Sequence, residues 1–526
     1  WPWAAAVVSA LMLAAAYPPF EQAWLCWLAF TPLICAIWFA PRGAKTNTLR
    51  AAAIGYLWGL IFFAITFSWI TEVTGGGWVV LSLYFALYPA AWTAYLAVMI
   101  PRGKARDASF LLSGRNLGVT VAASGAWVGL EWVRGTLFSG FGWNNVGTAL
   151  FEHIALIQIA DLTGVGGISF LVVAANLMAV ITVRRLTLEV GRTRLRPHYD
   201  FTLTVGLIAV AFSYGVHHYY ADVPGETATV RISAVQANIP QDQKWDEAFE
   251  RKILDTYQRL TDLALISEPN LLIWPEAATP RPLLLDDDMK AEVAKVMKKF
   301  HGDFLLGTIN YDHVGAYNAA VALAPSGAHQ LYYKMHLVPF GEFIPFRHTF
   351  PLFAWIVGNQ VPGDFTAGTE PVVFTLRTWP IKIAPLICFE DTVGDLTRQF
   401  ALRGAELLVT ITNDAWFRRS EGSRQHFANS VFRAAETKLP LVRGANTGVT
   451  CVIDRLGRVT NVLSDPETGS TFTEGVLTDT IEVPVEPPLT FYTRYGELFS
   501  IVCFFGALLT LRTSLVRYRA STFSES

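Results

Sequence analysis

The sequence predicts a polytopic α-helical membrane bundle of about eight spans that carries a layered α/β domain. Apolar runs of ~20 residues, enough to cross about 30 Å of hydrocarbon, recur through residues 1–217 and once more near 495–511. From Val230 the pattern changes to short strand-like runs interleaved with amphipathic helical ones. Three of those runs end beside a glutamate, a lysine and a cysteine. The 526 residues exceed one domain, and 52% hydrophobic with 16% charged residues averages two unlike regions. A net charge of −2 gives no basic footprint, so nucleic acid is not an expected partner. None of Cys26, Cys35, Cys388, Cys451 and Cys503 forms a C-x-x-C pair, so neither a disulfide framework nor a zinc site is indicated.

The spans fall near 3–18, 22–40, 51–71, 77–100, 118–136, 159–183 and 201–217, with a last one near 495–511. The first is followed at once by others, which argues against a cleaved signal peptide. Connection 41–50 carries Arg42, Lys45 and Arg50; 101–117 carries Arg102, Lys104, Arg106 and Arg115; 184–198 carries Arg184, Arg185, Arg192, Arg194 and Arg196. The alternate connections, near 19–21, 72–76 and 137–158, have no Lys or Arg. By the positive-inside rule this places both termini in the cytoplasm and residues 218–494 on the outer face, in agreement with Arg512, Arg517 and Arg519 after the last span. Glu131 and Arg134 share one face of the fifth span. They make either a structural ion pair or a contact to a lipid headgroup, since intramembrane charges face a bundle interior or a polar cavity. The uncharged loop Ser139-Gly140-Phe141-Gly142-Trp143-Asn144-Asn145 follows them, an interfacial belt or the lining of a substrate entrance.

The outer domain begins with an alternating run over 230–236 and an amphipathic helix over 246–266. Strands are expected over 271–274, 304–309, 318–324, 381–387, 407–412, 440–443 and 449–453, with helices near 288–300 and 424–437. Alternation of this kind predicts a layered α/β domain, and such sheets present reactive residues at the C-terminal ends of strands. Glu276 and Cys388 both stand just past an apolar strand.

In chemical terms Cys388 is the candidate nucleophile, Glu276 its general base, and Lys334 the cation that lowers the thiol pKa and holds an oxyanion. A lone cysteine after an apolar strand is usually a small buried hydrophobe, and lone Glu and Lys are usually surface charges. The three segments together, in this order, are far more specific. Glu390 and Asp391 would raise the thiol pKa, which Lys334 would offset. There is no G-x-S-x-G elbow for serine chemistry, and His301, His313, His329, His336 and His348 show no ligand spacing, so neither a metal nor a cofactor is expected.

Five segments carry a family resemblance: Val235-Gln236-Ala237-Asn238-Ile239-Pro240, Trp274-Pro275-Glu276, the run from Lys334 to Glu342, Cys388-Phe389-Glu390, and Asn413-Asp414-Ala415-Trp416-Phe417. Through them residues 230–485 resemble the nitrilase, or carbon–nitrogen hydrolase, superfamily, whose Glu-Lys-Cys triad matches Glu276, Lys334 and Cys388 in order. With the flanking spans, and Glu131-Trp132-Val133-Arg134-Gly135 in the fifth, the chain is similar to the apolipoprotein N-acyltransferases of Gram-negative inner membranes. It departs from them at Phe389, where the family often has Tyr, so no hydroxyl is offered there.

The resemblance implies a nitrilase-like layered sandwich at 218–494, between a seven-span bundle at 1–217 and a last span with a cytoplasmic tail at 495–526. It implies that Cys388 takes the acyl group of a phospholipid, with phosphatidylethanolamine the expected donor, and that the α-amino group of an S-diacylglyceryl-cysteine lipoprotein then accepts it. It assigns Glu342 as a supporting acid and Glu390 as a neighbour needed for activity. The backbone N–H of Phe389 would join Lys334 at the oxyanion. Trp245, Trp416 and Asn413, with Glu131 and Arg134, are candidates for substrate contacts, and in Trp245 an interfacial anchor is an equally simple reading. A membrane-tethered amidase with the same triad, a transferase with another acceptor, and a non-catalytic scaffold remain open alternatives.

Overall fold

The structure, a computed structural model, describes residues 1–39, 46–100, 109–189, 197–221, 225–344 and 364–523. Arg42, Lys45, Arg102, Lys104, Arg106, Arg192, Arg194, Arg196 and His348 lie outside the described residues. The chain divides into two compact units: one comprises Trp1–Ser68, Trp78–His218 and Glu497–Ser526, the other Trp69–Gly77 and Tyr219–Gly496.

The first unit is helical. Five of its described helices are long and apolar enough to cross a membrane: Asn47–Thr66, Gly75–Met99, Val165–Thr187, Tyr199–Tyr220 and Leu498–Val516. The first two expected spans form the shorter helices Pro2–Ala14 and Ala23–Phe39. The run expected over 159–183 is corrected: Gly164 at φ +63 closes a short helix, and the long one starts only at Val165. Two buried polar groups of this unit show how side chains find partners in apolar surroundings. Asp200 pairs with Arg185 at 2.7 Å and accepts from Asn116 at 2.8 Å. Asn176 takes the backbone N–H of Phe30 and donates to the carbonyl of Cys26.

The second unit is a sandwich of two six-stranded sheets. Strands β1 (Thr227–Gln236), β2 (Leu271–Ile273), β3 (Asp303–Tyr311), β4 (Ala316–Leu323) and β5 (His329–Tyr333) form the first sheet with β12 (Gly475–Pro484), in the order β12-β1-β2-β3-β4-β5. Strands β6 (Phe374–Thr375), β7 (Lys382–Ile387), β8 (Leu407–Thr412), β9 (Leu441–Ala445), β10 (Cys451–Ile453) and β11 (Val459–Val462) run in reverse order across the second. In each sheet the central strands pair in parallel and the flanking ones antiparallel. The parallel strands β8 and β9 are buried along their whole length, as parallel strands covered on both faces are, although β8 carries Thr410 and Thr412 and β9 carries Arg443. The sheets face each other closely: a Cβ on Gly444 of β9 would lie 2.9 Å from Ile273 of β2.

Helices cover the outer faces. Helix Glu250–Leu265 buries Ile253, Leu254, Tyr257, Leu260, Thr261 and Ala264, a stripe at helical spacing, and its side chains join those of Asp287–Lys299 in one core with the first sheet. The Asp286 side chain caps the second of these helices at the Met289 N–H. Trp274, fully buried in that core, stacks near Tyr257 at 4.7 Å and donates to Thr261 at 2.9 Å, fixing the segment that leads to Glu276. Helices Gly394–Leu402 and Gly422–Thr437 belong to the second half of the unit.

Candidate active site

Three strand ends of the second unit deliver the expected triad. Glu276 follows β2, Lys334 follows β5 and Cys388 follows β7, at 5%, 1% and 7% exposure. Gly307 of β3 makes room for the first: a Cβ there would sit 2.6 Å from the Glu276 Cα. Its N–H and carbonyl bond to Pro275 and Ala278 on either side of the glutamate. Cys388 adopts φ +53, a left-handed conformation that costs a non-glycine residue and that turns the chain sharply out of β7.

Asn318 of β4 organises the carboxylates. Its amide donates to Glu276 Oε1 at 2.7 Å and to Glu342 Oε1 at 3.0 Å. Lys334 Nζ donates to Glu342 at 2.9 Å and stands 3.6 Å from Glu276 Oε1, so Glu342, not Glu276, is its nearer partner. Glu342 is held in turn by the Val338 N–H. Glu276 Oε2 is buried without a hydrogen-bond partner among the described residues, which leaves one carboxylate oxygen available for a proton. Burial works against the Lys334 charge, but Glu342 and then Glu276 more than offset it and hold the ammonium above the usual lysine range.

Glu390 fastens the lysine and cysteine segments together. One oxygen accepts from the Tyr332 hydroxyl and the N–H groups of Met335 and His336, and the other from the Ile387 N–H. Burial nevertheless lifts its carboxyl to about 7. Phe389 lies 4% exposed with its ring stacked on His336, an apolar use of the position.

The electrostatics correct one expectation. Lys334 does pull the Cys388 thiol down, but burial first, and then Glu276, push it well above its ordinary value. Both influences favour the protonated thiol. Nor do Glu390 and Asp391 cause the rise. Asp391 is neutralised within a second buried group that sequence reading missed.

That group is Asp391, Asp414, His426 and Arg443. Arg443 donates to Asp391 at 2.7 Å and to Asp414 at 2.8 Å; His426 lies 2.8 Å from Asp391 and 3.0 Å from Asp414. Ser430 and Ser423 complete the two carboxylates. His426 Nε2 is also 3.3 Å from the Cys388 carbonyl, which ties the group to the left-handed backbone there. Burial opposes a charged imidazole, yet Asp391 and Asp414 hold it up at about 9 against Arg443. Asp414 sits well below the usual carboxylate range because Arg443 and His426 overcome its burial. A charged arginine inside the fully buried strand β9 was the available signal for this group.

The remaining candidates lie elsewhere. Trp245 is 50% exposed on the loop after β1, and Trp416 is partly buried in the turn Asp414–Phe417. The Asn413 amide is occupied by Gln241 and Asn446, a scaffold role. Glu131 and Arg134 belong to the helical unit. Glu131 accepts from Trp127 at 2.9 Å and from the Val146 N–H at 2.7 Å, while Arg134 donates to Asn145 and lies over the Phe63 ring at 5.4 Å. Both line a small cavity with Phe62, Tyr88 and Asn144.

Residues 9–178 match the apolipoprotein N-acyltransferase N-terminal domain and residues 231–485 match carbon-nitrogen hydrolase. The apolipoprotein N-acyltransferase of Geobacter metallireducens is 34% identical over 95% of this chain and 93% of its own length. That of Rhodopseudomonas palustris is 31% identical over the same shares, 95% and 93%. Among solved structures, a CN-hydrolase superfamily protein from Xanthomonas campestris is 20% identical with a TM-score of 0.37, covering 48% of this chain and 91% of that one.

Proposed function

The chain belongs to the apolipoprotein N-acyltransferase family, and from that premise we propose how its residues carry the reaction. It is a membrane acyltransferase of lipoprotein maturation, with a phospholipid donor and a lipoprotein acceptor. The observation that supports a thioester route best is the buried thiol of Cys388 in a site where Glu276 keeps one oxygen unbonded and Lys334 is fully charged.

In the first half-reaction Glu276 takes the thiol proton as sulfur attacks the ester carbonyl, and the carbonyl π pair moves onto oxygen. Lys334 and the backbone N–H of Phe389 stabilise that oxyanion. Collapse breaks the C–O bond, and Glu276 returns the proton to the leaving lysophospholipid. In the second half-reaction the α-amino group of S-diacylglyceryl-cysteine attacks the thioester. Glu276 accepts the amine proton and hands it to the departing sulfur. A thioester holds the acyl chain while one lipid leaves and another arrives, which suits exchange within a membrane. The donor is phosphatidylethanolamine. Glu342 supports Lys334, and Trp245, Trp416, Glu131 and Arg134 contact substrate.

Mass spectrometry of enzyme incubated with phosphatidylethanolamine alone should find one acyl adduct on Cys388, and a diacylglyceryl lipopeptide should then discharge it. Cys388→Ala should carry none. An adduct that water clears as fast as the lipopeptide does would turn the reading to an amidase. We also propose eight spans in a bacterial inner membrane, with both termini cytoplasmic and 218–494 periplasmic. An impermeant thiol reagent on intact cells should reach a cysteine placed at the exposed Glu467 and miss one at Arg192; the reverse pattern would overturn the orientation.

A further inference from the structure

Lys244 is a second buried cation beside Glu276, outside the triad. It lies on the loop between β1 and helix Glu250–Leu265, 6% exposed. Its Nζ donates at 2.9 Å to the backbone carbonyl of Glu276 and stands 5.9 Å from the Trp245 ring centroid. An ammonium carries three donors, and burying it against a single carbonyl is costly unless its charge serves a purpose. The small cavity around it is otherwise walled by Ile239, Ile253, Tyr257, Ala278 and Pro280, with the Asn446 amide already bonded to Ile239 and Asn413. The charged or titratable groups that face it are Glu276 beyond β2, Cys388 beyond β7, and the Tyr257 hydroxyl, which burial keeps neutral. Asp242 and Asp246 of its own loop are exposed.

Charge counting gives this lysine a task. Glu276 and Glu342 place two negative charges against the one positive charge of Lys334. When the thiol proton moves to Glu276, a negative charge appears on sulfur and then on the acyl carbonyl oxygen. The inner site is neutral before and after that transfer only if a second cation stands by.

We propose that Lys244 is that cation, a further active-site residue that favours the thiolate of Cys388 and the oxyanion it forms. The proposal rests on Cys388 as the nucleophile. The Sγ–H bond breaks towards Glu276, the sulfur pair forms the S–C bond, and no other reactant is required. Burial holds Lys244 down to about 8, with Glu276 and Cys388 working the other way. Its charge, and therefore its help, is present below pH 8 and is lost above it.

Alkylation of Cys388 by iodoacetamide tests this without any acyl donor, with the Cys388 peptide quantified apart from those of the other cysteines. At pH 7 Lys244→Met should slow alkylation about tenfold, the effect of raising the thiol pKa by about one unit. Lys244→Arg should recover most of the rate. The gap between wild type and Lys244→Met should close as pH rises through 8, because the wild type then loses the same charge. Equal rates at pH 7, or a gap that stays constant from pH 7 to 9, would overturn the proposal; the second outcome would mark Lys244 as packing only. Failure here leaves the triad intact, whereas a wild-type enzyme that never forms an adduct with phospholipid would remove the triad reading itself.

Discussion

The Asp391–Asp414–His426–Arg443 group touches Cys388 through its backbone carbonyl, with Asp414 a lesser influence on the thiol. Glu276 and Lys334, the latter held by Glu342, are instead the charges that act on the thiol most. Both sets are fully buried, and they follow opposite rules. In the first, Arg443 bridges two aspartates, the histidine bridges them again, and serines fill further lone pairs. In the second, Lys334 lies off-centre towards Glu342 and one oxygen of Glu276 is left bare. A closed set of charges holds a shape, and an open one can accept a proton. The difference separates residues whose loss costs stability from those whose loss costs rate.

That separation can be broken most sharply at Glu276 and Lys334. Glu276→Gln keeps the shape but cannot take the thiol proton, so thioester formation should fall by about 10²–10⁴-fold. Lys334→Met should cost the same first step about 10²–10³-fold through the lost oxyanion contact. Trapping acyl-enzyme with phospholipid alone measures both, and normal accumulation in Glu276→Gln would move the base to Glu342. Glu276→Gln should leave the unfolding midpoint of the second unit close to normal, whereas Lys334→Met also strands the buried Glu342 carboxylate and should lower it.

Asp414→Asn should do the reverse. It leaves Arg443 and His426 short of a partner, and breaking one side of a buried ion pair costs about 3–5 kcal/mol of stability. Thermal unfolding should show that loss as a lowered midpoint. The wild-type midpoint should also depend on pH in a definite sense. His426 is raised from 6.5 to about 9, so its contribution is complete below pH 6.5 and disappears as pH climbs through 9. A flat midpoint between pH 7 and 9.5 would show that the imidazole is not charged.

The smallest effect is expected at Trp245, half exposed on the same loop as Lys244. Trp245→Ala should load acyl chains at close to the normal rate yet transfer them several-fold more slowly to the large acceptor. A parallel loss in both steps would place this ring inside the first reaction.

The sequence exposes the open set better than the closed one, for a physical reason. Glu276, Lys334 and Cys388 each follow a strand, and two of those strands are apolar enough to recognise. Strand β5, which delivers Lys334, is half-exposed and polar at its start, so only the motif marked it. Strand β12 exposes Thr478, Thr480 and Glu482 between more buried residues and gives no apolar run. Asn318, Gly307 and Lys244 act through contacts across the sheet or between loops, and nothing local distinguishes them. The closed set is assembled from two turns, one helix and one strand. The arginine within β9 hints at a buried partner, but only folding reveals that Asp391, Asp414 and His426 converge on it. The spans show a similar limit: composition reveals the apolar runs, but the positive φ at Gly164 moves the start of one helix.

The pairing of β1 with β12 carries one more consequence. Thr227 lies opposite Pro484 and Gln236 opposite Gly475, so the first strand of the second unit, paired with β2 on its inner side, finds its outer partner only near the end of that unit. While the ribosome is still extending the chain, the outer edge of β1 has no neighbour. Closing so long a loop comes late and carries an entropic cost that grows only slowly with length. An unfinished chain presents an open strand edge of the kind that invites wrong partners. Completing the enzyme and concealing that edge are thus one event in the life of the nascent chain.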